Sequence, residues 1–250
     1  MPILGIIASG ISGNLAPVNP VTANIYAWFD ASRAVDFTYS SGTSVSQWND
    51  RSGNGRHLSQ ATAANQPSRS GTMNGRSTVI FDNTNDFLDF GSNQDLGENY
   101  TFFAVLDTPL IQAGSPAQRF LHTSGVDGGV IGFGDTTGGL TNERMYWLRL
   151  TNASGYGQTS SNITDADHQF TWRLTNKTTV QYREDRTTKS LTNSSIGTFS
   201  STEWARYFRY MGESTNPLNC EVAEVILYNA SLSDADRDSV ETYLKDKWGL

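Results

Sequence analysis

Short apolar or alternating segments recur along the chain from Ile25 onward, separated by turn-forming residues. The strongest is residues 100–106, YTFFAVL, because aromatic and β-branched residues favour strands. Further segments of this kind lie at residues 25–29, 79–81, 87–90, 119–122, 130–133, 144–150, 169–174, 178–183, 207–211 and 222–228. No helix-length pattern lies between them, so the chain is predicted to be all-β, a two-sheet antiparallel sandwich rather than a series of β–α–β units.

One helix is predicted, and it comes last. Ser233 suits the N-cap, and Asp236 three residues later completes a capping box. An apolar stripe at helical spacing follows, formed by Val240, Tyr243, Leu244 and Trp248. Gly249 is placed to end the helix. The stripe predicts a C-terminal α-helix that docks on the sandwich.

Composition supports a packed, acidic protein. Hydrophobic residues make up 37% of 250 residues, aromatic residues 11%, and the formal net charge is −7. No basic run occurs, which argues against a nucleic-acid partner because phosphate binding needs clustered Lys and Arg. The single cysteine, Cys220, excludes an internal disulfide and is interpreted as a small buried hydrophobe.

Two groups of short motifs carry a family resemblance. The first is Ala27-Trp28-Phe29-Asp30 followed by VSQWNDRSGNG at residues 45–55. The second is EVAEVILY at residues 221–228 followed by Lys247-Trp248-Gly249. In this order they resemble the laminin G-like modules of bacterial and phage proteins, which implies a concanavalin A-like jelly roll over residues 25–250. Trp28 and Trp48 lie among apolar strand residues and are interpreted as core.

Residues 1–24 form a separate segment with an apolar start. No Lys or Arg precedes Arg33, which argues against a secretory signal, and the apolar run of residues 3–8 is too short for a membrane span. The opening PILGIIASGISGNL resembles the start shared by many tailed-phage structural proteins. That resemblance implies location in a virion and docking on other virion proteins, with packing on its own domain as the alternative. The residues predicted to dock are Ile3, Leu4, Ile6, Ile7, Ile11 and Leu15.

Catalytic patterns are not found in the sequence. Glucanases of the resembled fold use an E-x-D-x-x-E strand, and this chain lacks one. Glu221 and Glu224 are an odd number of residues apart, which predicts opposite sheet faces. The three histidines, His57, His122 and His168, lie in no nucleophile or metalloprotease motif. The protein is therefore predicted not to be an enzyme and to need no cofactor.

One loop is rich in oxygen ligands. It contains Asp82, Asn83, Asn85 and Asp86. Calcium prefers six to eight oxygen ligands, so a calcium site is one reading of this loop. Turn formation by Asx residues explains the same composition, and no metal is predicted.

Strand alternation predicts a polar and aromatic patch on an exposed sheet face. Trp172 and Tyr182 are expected to face the core, so their neighbours face outward. The predicted glycan-binding residues are Trp147, Arg149, Tyr156, Arg173, Gln181 and Arg183. The sequence thus predicts a non-catalytic phage structural protein, of tail, fibre or capsid, with a role in glycan recognition and host attachment. A purely structural decoration protein and a glycan-cleaving enzyme are the alternatives, and a homo-oligomer is left open.

Overall fold

Strands form where one side chain in two can be buried, as the alternating segments predict. The structure, a computed structural model, describes residues 20–108, 118–123, 129–133, 145–149, 156–159, 163–176, 179–192, 207–215 and 217–250. The strands are β1 (Ile25–Asp30), β2 (Phe37–Ser41), β3 (Ser44–Trp48), β4 (Leu58–Ser59), β5 (Ser68–Met73), β6 (Arg76–Asp82), β7 (Phe87–Asp95), β8 (Tyr100–Thr108), β9 (Gln118–His122), β10 (Gly129–Phe133), β11 (Met145–Arg149), β12 (Tyr156–Thr159), β13 (Ala166–Thr175), β14 (Thr179–Glu184), β15 (Thr187–Thr188), β16 (Leu191–Thr192), β17 (Tyr207–Gly212) and β18 (Asn219–Tyr228). Two 3-10 turns, Ala34–Asp36 and Ala63–Asn65, and one α-helix, α1 (Asp234–Trp248), complete this part of the chain.

The strands form two antiparallel layers. The first layer runs β15–β14–β13–β8–β18, with β1 and β6 on successive parts of the far edge of β18 and β5 beside β6. The second layer runs β2–β3–β4–β7–β17–β9–β10–β11–β12–β16. The layers meet at one edge, where Ser44 of β3 pairs with Ser68 of β5. The predicted fold class is confirmed.

The inner core lies between the two layers. Phe102 of the first layer and Phe120 of the second contact each other there, with ring centroids 5.8 Å apart. Trp48 is fully buried and stacks on Phe37 at 5.0 Å. Cys220 is also buried in this core, as predicted, and burial raises the pKa of its thiol well above the usual value.

Helix α1 covers the outer face of the first layer. The Ser233 hydroxyl accepts a hydrogen bond from the Asp236 amide at 3.1 Å, and Gly249 ends the helix with φ of 78°. The predicted stripe is buried in a second cluster, here called the helix-side core, together with Trp28 and Phe103. The predicted helix, its cap and its docking face are confirmed. No helix among the described residues is long and apolar enough to span a membrane.

A buried ionic network fastens α1 to the sandwich. Glu224 of β18 is 0% exposed and accepts hydrogen bonds from Trp28 Nε1 at 2.7 Å, Tyr243 at 2.8 Å and Trp248 Nε1 at 2.8 Å. Lys247 Nζ lies 2.6 Å from Glu224 Oε2 and 2.7 Å from Asp30 Oδ2. Burial raises the pKa of Glu224 although Lys247 opposes the shift. Every donor of the network therefore has a carboxylate partner, which buried charges require.

The loop after β3 belongs to the same assembly. The Asp50 carboxylate accepts from the backbone amides of Trp28, Ser52 and Arg56, all at 2.9–3.0 Å. The Arg51 guanidinium lies 3.9 Å from the Trp28 ring and binds Asp30 at 2.9 Å. The motifs that carry the family resemblance thus meet in one structural cluster, so they report on the fold rather than on a ligand.

Candidate functional site

The predicted patch on β13 and β14 is only partly as expected. Trp172 and Tyr182 face the inner core, as strand alternation predicted. Arg173, Gln181 and Arg183 project to the other side, but that side is covered by α1 and is not an uncovered sheet face. The prediction of an exposed patch is wrong for these three residues, because the helix docks over both strands.

Each of the three side chains has a partner at the helix. Arg173 donates to the Leu232 carbonyl at 2.8 Å and to Asp234 at 2.7 Å. The Gln181 carbonyl oxygen accepts from Arg237 at 2.7 Å. Arg183 lies 2.6 Å from Asp238 and 3.2 Å from buried Glu241. These polar groups hold the helix against the first layer.

The other predicted site residues are not tested by the structure. For Trp147, Arg149 and Tyr156 only strand pairing is described, β10–β11–β12, and their side chains are not. The predicted docking segment, residues 3–15, is also outside the described residues. Its role stays a prediction.

The loop between β6 and β7 has the geometry of a tight turn. The Thr84 amide donates to Asp82 Oδ1 at 2.9 Å, and the Asp82 amide donates to Asp86 Oδ2 at 3.1 Å. Asn83 has φ of 61°, which Asn tolerates well. Burial and the neighbouring Asp82 charge raise the pKa of Asp86 to about 6. The turn reading accounts for these contacts, and calcium binding stays an untested alternative.

One cluster among the described residues brings three potential metal ligands together. His168, Glu184 and Asp185 each place one ligand atom within 4.8 Å of the others. Both imidazole nitrogens are occupied, however: Nδ1 lies 2.8 Å from Asp185 Oδ2 and Nε2 lies 3.1 Å from the Thr164 carbonyl. Burial lowers the pKa of His168, but the bond to Asp185 outweighs it and the net shift is upward. These contacts join the start of β13 to the β14–β15 turn, which is a structural role.

The two carboxylates of β18 lie on the same side of the sheet. A β-bulge between Val222 and Glu224 adds one residue to the strand, so the expected alternation fails. Val222 and Val225 both enter the inner core, which leaves Glu221 and Glu224 on the same, helix-covered side. The prediction of opposite faces is wrong. Glu221 nevertheless has its own partner, Thr78, at 2.6 Å, and takes no part in the Glu224 network.

A separate pocket opens on the outer face of the second layer, opposite the helix. It has a volume of about 350 Å³ and lies where β7, β17 and β9 run side by side. We call it the open-face pocket. The described residues that line it are Phe87, Asp89, His122, Tyr210, Gly212, Glu213 and Ser214. Tyr210 pairs across the strands with both Asp89 and His122, which brings the three side chains into one row.

Aromatic rings form the apolar part of the open-face pocket. The His122 ring stacks on Tyr210 at 5.1 Å, and Phe87 meets Tyr210 edge-on at 5.9 Å. The Arg209 guanidinium lies 4.9 Å from the Tyr210 ring. Tyr210 is thus held in place from several sides, and it is half-buried rather than covered. A fixed aromatic edge beside polar groups is typical of small-ligand sites.

His122 supplies a hydrogen-bond acceptor without a partner. Its Nε2 lies 3.1 Å from the Gly212 carbonyl, which only accepts, so Nε2 carries the proton. Burial lowers the pKa of His122, which favours the neutral ring and leaves Nδ1 unprotonated. The residue is 3% exposed, and Nδ1 has no hydrogen-bond partner among the described residues. Such a buried acceptor is costly unless a ligand or water completes it.

Both carboxylates of the pocket are held by arginines. Asp89 receives two bonds from Arg209, at 2.9 and 3.0 Å. Glu213 lies 2.9 Å from Arg119. Each ion pair is electrically neutral. Each carboxylate can still accept a further hydrogen bond from a ligand hydroxyl. The pocket therefore combines neutral overall charge, aligned acceptors and an aromatic edge.

Sequence reasoning did not find the open-face pocket. Its residues come from three segments far apart in the chain, and no local motif links them. His122 was noted only as a histidine outside any catalytic motif, and residues 207–211 were predicted only as a strand. The alternation of Phe87 and Asp89 on one face was the one local signal, and it does not reveal which strands lie alongside.

No protein-family model matches the chain, and no curated protein matches it in sequence. Solved structures do match. A Trypanosoma rangeli sialidase, in complex with 2,3-difluorosialic acid, superposes with a TM-score of 0.58 at 13% identity, over 98% of this chain and 36% of that one. The chain shares a β-sandwich fold with these proteins.

Two further structures give the same result. A GH54 α-L-arabinofuranosidase has a TM-score of 0.58 at 17% identity, over 82% of this chain and 51% of that chain. The binding domain of botulinum neurotoxin serotype D has 0.58 at 10% identity, over 88% and 51%. This chain thus spans from about a third to half the length of its structural neighbours. At such identities the likeness shows the fold alone, and it is consistent with the concanavalin A-like resemblance of the sequence.

Proposed function

We propose that the protein is a non-catalytic glycan-recognition module and that the open-face pocket binds a neutral sugar residue. The observation that carries this is the unpartnered Nδ1 of buried, neutral His122, beside two carboxylates that arginines already neutralise. A sugar hydroxyl can donate to Nδ1 and to Asp89 or Glu213, while its C–H groups contact the aromatic edge of Tyr210. An anion gains little there, because both guanidinium groups are already paired.

Fold neighbours add support of a weaker kind. Two of them are named as carbohydrate-processing enzymes, a sialidase and an arabinofuranosidase. Since sandwiches of this type host many functions, the argument depends on the pocket and not on the fold. The absence of catalysis is part of the proposal: Asp89 and Glu213 are tied to arginines and are not free to deliver a proton.

The direct test is a glycan array probed with the whole chain and with pocket variants. Ser214 is exposed at the pocket edge, so Ser214→Trp should block the pocket without disturbing the fold. Tyr210→Ala should weaken binding roughly tenfold or more, as loss of an aromatic anchor does. Ser41→Trp, on an exposed serine at the end of β2, is the matched control and should bind normally.

Three results would count against the proposal. Binding that resists Ser214→Trp and Tyr210→Ala would place the glycan elsewhere. Release of reducing ends from a bound polysaccharide would show an enzyme instead of a binding module. A chain that binds no glycan at all would favour the structural decoration role.

The setting we propose is a phage particle, in which the module contributes to host attachment. The support is the resemblance of residues 1–15 to the start of tailed-phage structural proteins. Deleting residues 1–17 should then leave a folded body that no longer joins particles. Normal incorporation of the truncated protein would contradict the attachment role, and it would leave the sugar-site proposal untouched.

A further inference from the structure

The opposite face of the molecule holds a larger cleft that the proposed function does not use. It has a volume of about 610 Å³ and lies where α1 leaves part of the first layer uncovered. Strand β13, the β14–β15 turn and one side of the helix form its walls. We call it the helix-side cleft. The residues that line it are Asp167, Gln169, Arg183, Asp185, Arg186, Thr187, Asp238, Lys245 and Leu250.

Gln169 of β13 lines this cleft and has an unsatisfied hydrogen-bond donor. The outward residues of β13 are Gln169, Thr171 and Arg173, and the helix region satisfies the last two. Thr171 donates to Glu241 at 2.8 Å, and Arg173 binds Asp234. Gln169 lies beyond these partners, is 2% exposed, and its Nε2 has no hydrogen-bond partner among the described residues. A buried amide donor left without an acceptor is unfavourable.

The backbone around Gln169 is fixed, so the strand cannot turn to satisfy its side chain. Its amide donates to Asp185 Oδ1 at 3.0 Å, and its carbonyl accepts from the Asp185 amide at 2.9 Å. Asp185 is in turn held by His168. The torsion of the terminal amide of Gln169 is broad, so this group can reorient without movement of the backbone. A ligand in the cleft is the natural source of the missing acceptor.

The edge of the cleft carries charges of both signs. Arg186 and Lys245 are exposed, and no carboxylate in the described part of the chain pairs with either side chain. Arg183, by contrast, is committed to Asp238 and Glu241. Asp167 is an exposed carboxylate whose pKa is raised by partial burial and by the nearby Glu221 charge. The cleft therefore offers two cations, a carboxylate and one buried amide donor.

We propose that the helix-side cleft binds a carboxylated sugar, a pyranose of the uronic acid type, independently of the open-face pocket. The sugar carboxylate meets Arg186 and Lys245, a ring or hydroxyl oxygen accepts from Gln169 Nε2, and a hydroxyl donates to Asp167. A simple anion satisfies only the cations. A neutral sugar leaves both cations without a partner.

The experiment is a titration of the whole chain with D-glucuronate, D-glucose, acetate and inorganic phosphate, followed by calorimetry and by the NMR signals of side-chain amides. Glucuronate should bind roughly tenfold more tightly than glucose and should shift the Gln169 amide signals. Arg186→Ala and Lys245→Ala should each weaken glucuronate roughly tenfold. Arg33→Ala, which removes the same charge from an exposed site elsewhere, is the control and should have no effect.

A second variant separates ligand binding from fold. Gln169→Leu removes the unpaired donor, so it should raise the melting temperature of the free protein by about 2 to 4 °C while weakening glucuronate. Equal affinity for glucose and glucuronate, or for phosphate and glucuronate, would overturn the assignment. Ser214→Trp should leave glucuronate binding intact, so failure here and failure of the open-face proposal give different results.

Discussion

The two outer faces of this sandwich use charged residues in different ways. On the helix-covered face, carboxylates and cations are buried together: Glu224 is bound by four donors and Arg183 by two acidic side chains of α1. On the open face, the ion pairs of Asp89 with Arg209 and of Glu213 with Arg119 remain partly exposed around a pocket. The same residue types thus form buried ion pairs on one face and partly exposed ion pairs on the other.

Solvent access accounts for this difference. Around Glu224 the donors are buried, so water does not readily replace a lost hydrogen bond, and removing one partner leaves a buried charge. On the open face water can replace a lost partner, and each pair contributes little to stability. Four buried side-chain atoms have no hydrogen-bond partner among the described residues: Trp48 Nε1, His122 Nδ1, Gln169 Nε2 and Glu241 Oε2. Of these residues only His122 and Gln169 line the open-face pocket or the helix-side cleft, so ligand sites are expected there.

The largest effect is expected at the centre of the covered face. Glu224→Ala should lower the free energy of unfolding by about 3 to 5 kcal/mol, because three neutral donors lose their buried acceptor and Lys247 keeps only Asp30 as a carboxylate partner. Urea unfolding measures this. Asp246→Ala, on an exposed position of α1, is the control. A loss below about 1 kcal/mol would mean that water reaches the network.

The turn that joins the two layers should show a pH effect. The pKa of Asp86 is raised to about 6 in the folded chain, above its value of 3.8 in the unfolded chain. Its stabilising contribution is therefore present below about pH 4 and is lost as pH rises through 6, a change of about 3 kcal/mol.

Asp86→Asn tests this turn directly. The variant should lack the part of the pH dependence of stability that Asp86 causes. It should therefore be more stable than the parent at pH 7 but not at pH 4. The measurement is urea unfolding of both proteins across this range. Parallel stability curves for the two proteins would contradict the assignment.

A smaller effect is expected where the helix begins. Ser233→Ala removes the N-cap that accepts from the Asp236 amide, so stability should fall by about 1 kcal/mol. Ser239→Ala, at an exposed position inside the same helix, serves as the comparison and should change stability little. Equal melting temperatures for the two variants would show that α1 is held by packing alone.

The smallest effect belongs to the open face. Glu213→Gln breaks the pair with Arg119, and both partners are partly exposed, so the loss should stay below about 1 kcal/mol and shrink at high salt. Thermal unfolding at low and high salt measures it. A loss comparable with that of Glu224→Ala would remove the distinction between the two faces.

The sequence predicted the helix and eleven of the eighteen strands that the structure describes. Alternation and aromatic content located those strands, and the cap at Ser233 and the stripe from Val240 to Trp248 located the helix, because these signals are local. Strands β2 to β5, β12, β15 and β16 were not predicted. The prediction for the glycan site was less successful. The prediction of an exposed patch was wrong for Arg173, Gln181 and Arg183. Alternation predicts which face of the sheet a side chain lies on, but it does not predict whether a helix covers that face.

The sequence alone therefore determined the fold class, the core tryptophans and the docking helix, all of which follow from spacing within one segment. Tertiary structure decided which face the helix covers, that a bulge turns Glu221 and Glu224 to the same side, and that Phe87, His122 and Tyr210 meet in one pocket. These features depend on strand order and on one extra residue in β18. Neither feature can be recognised from the periodicity of the sequence, because pairing between strands joins residues separated by long stretches of chain.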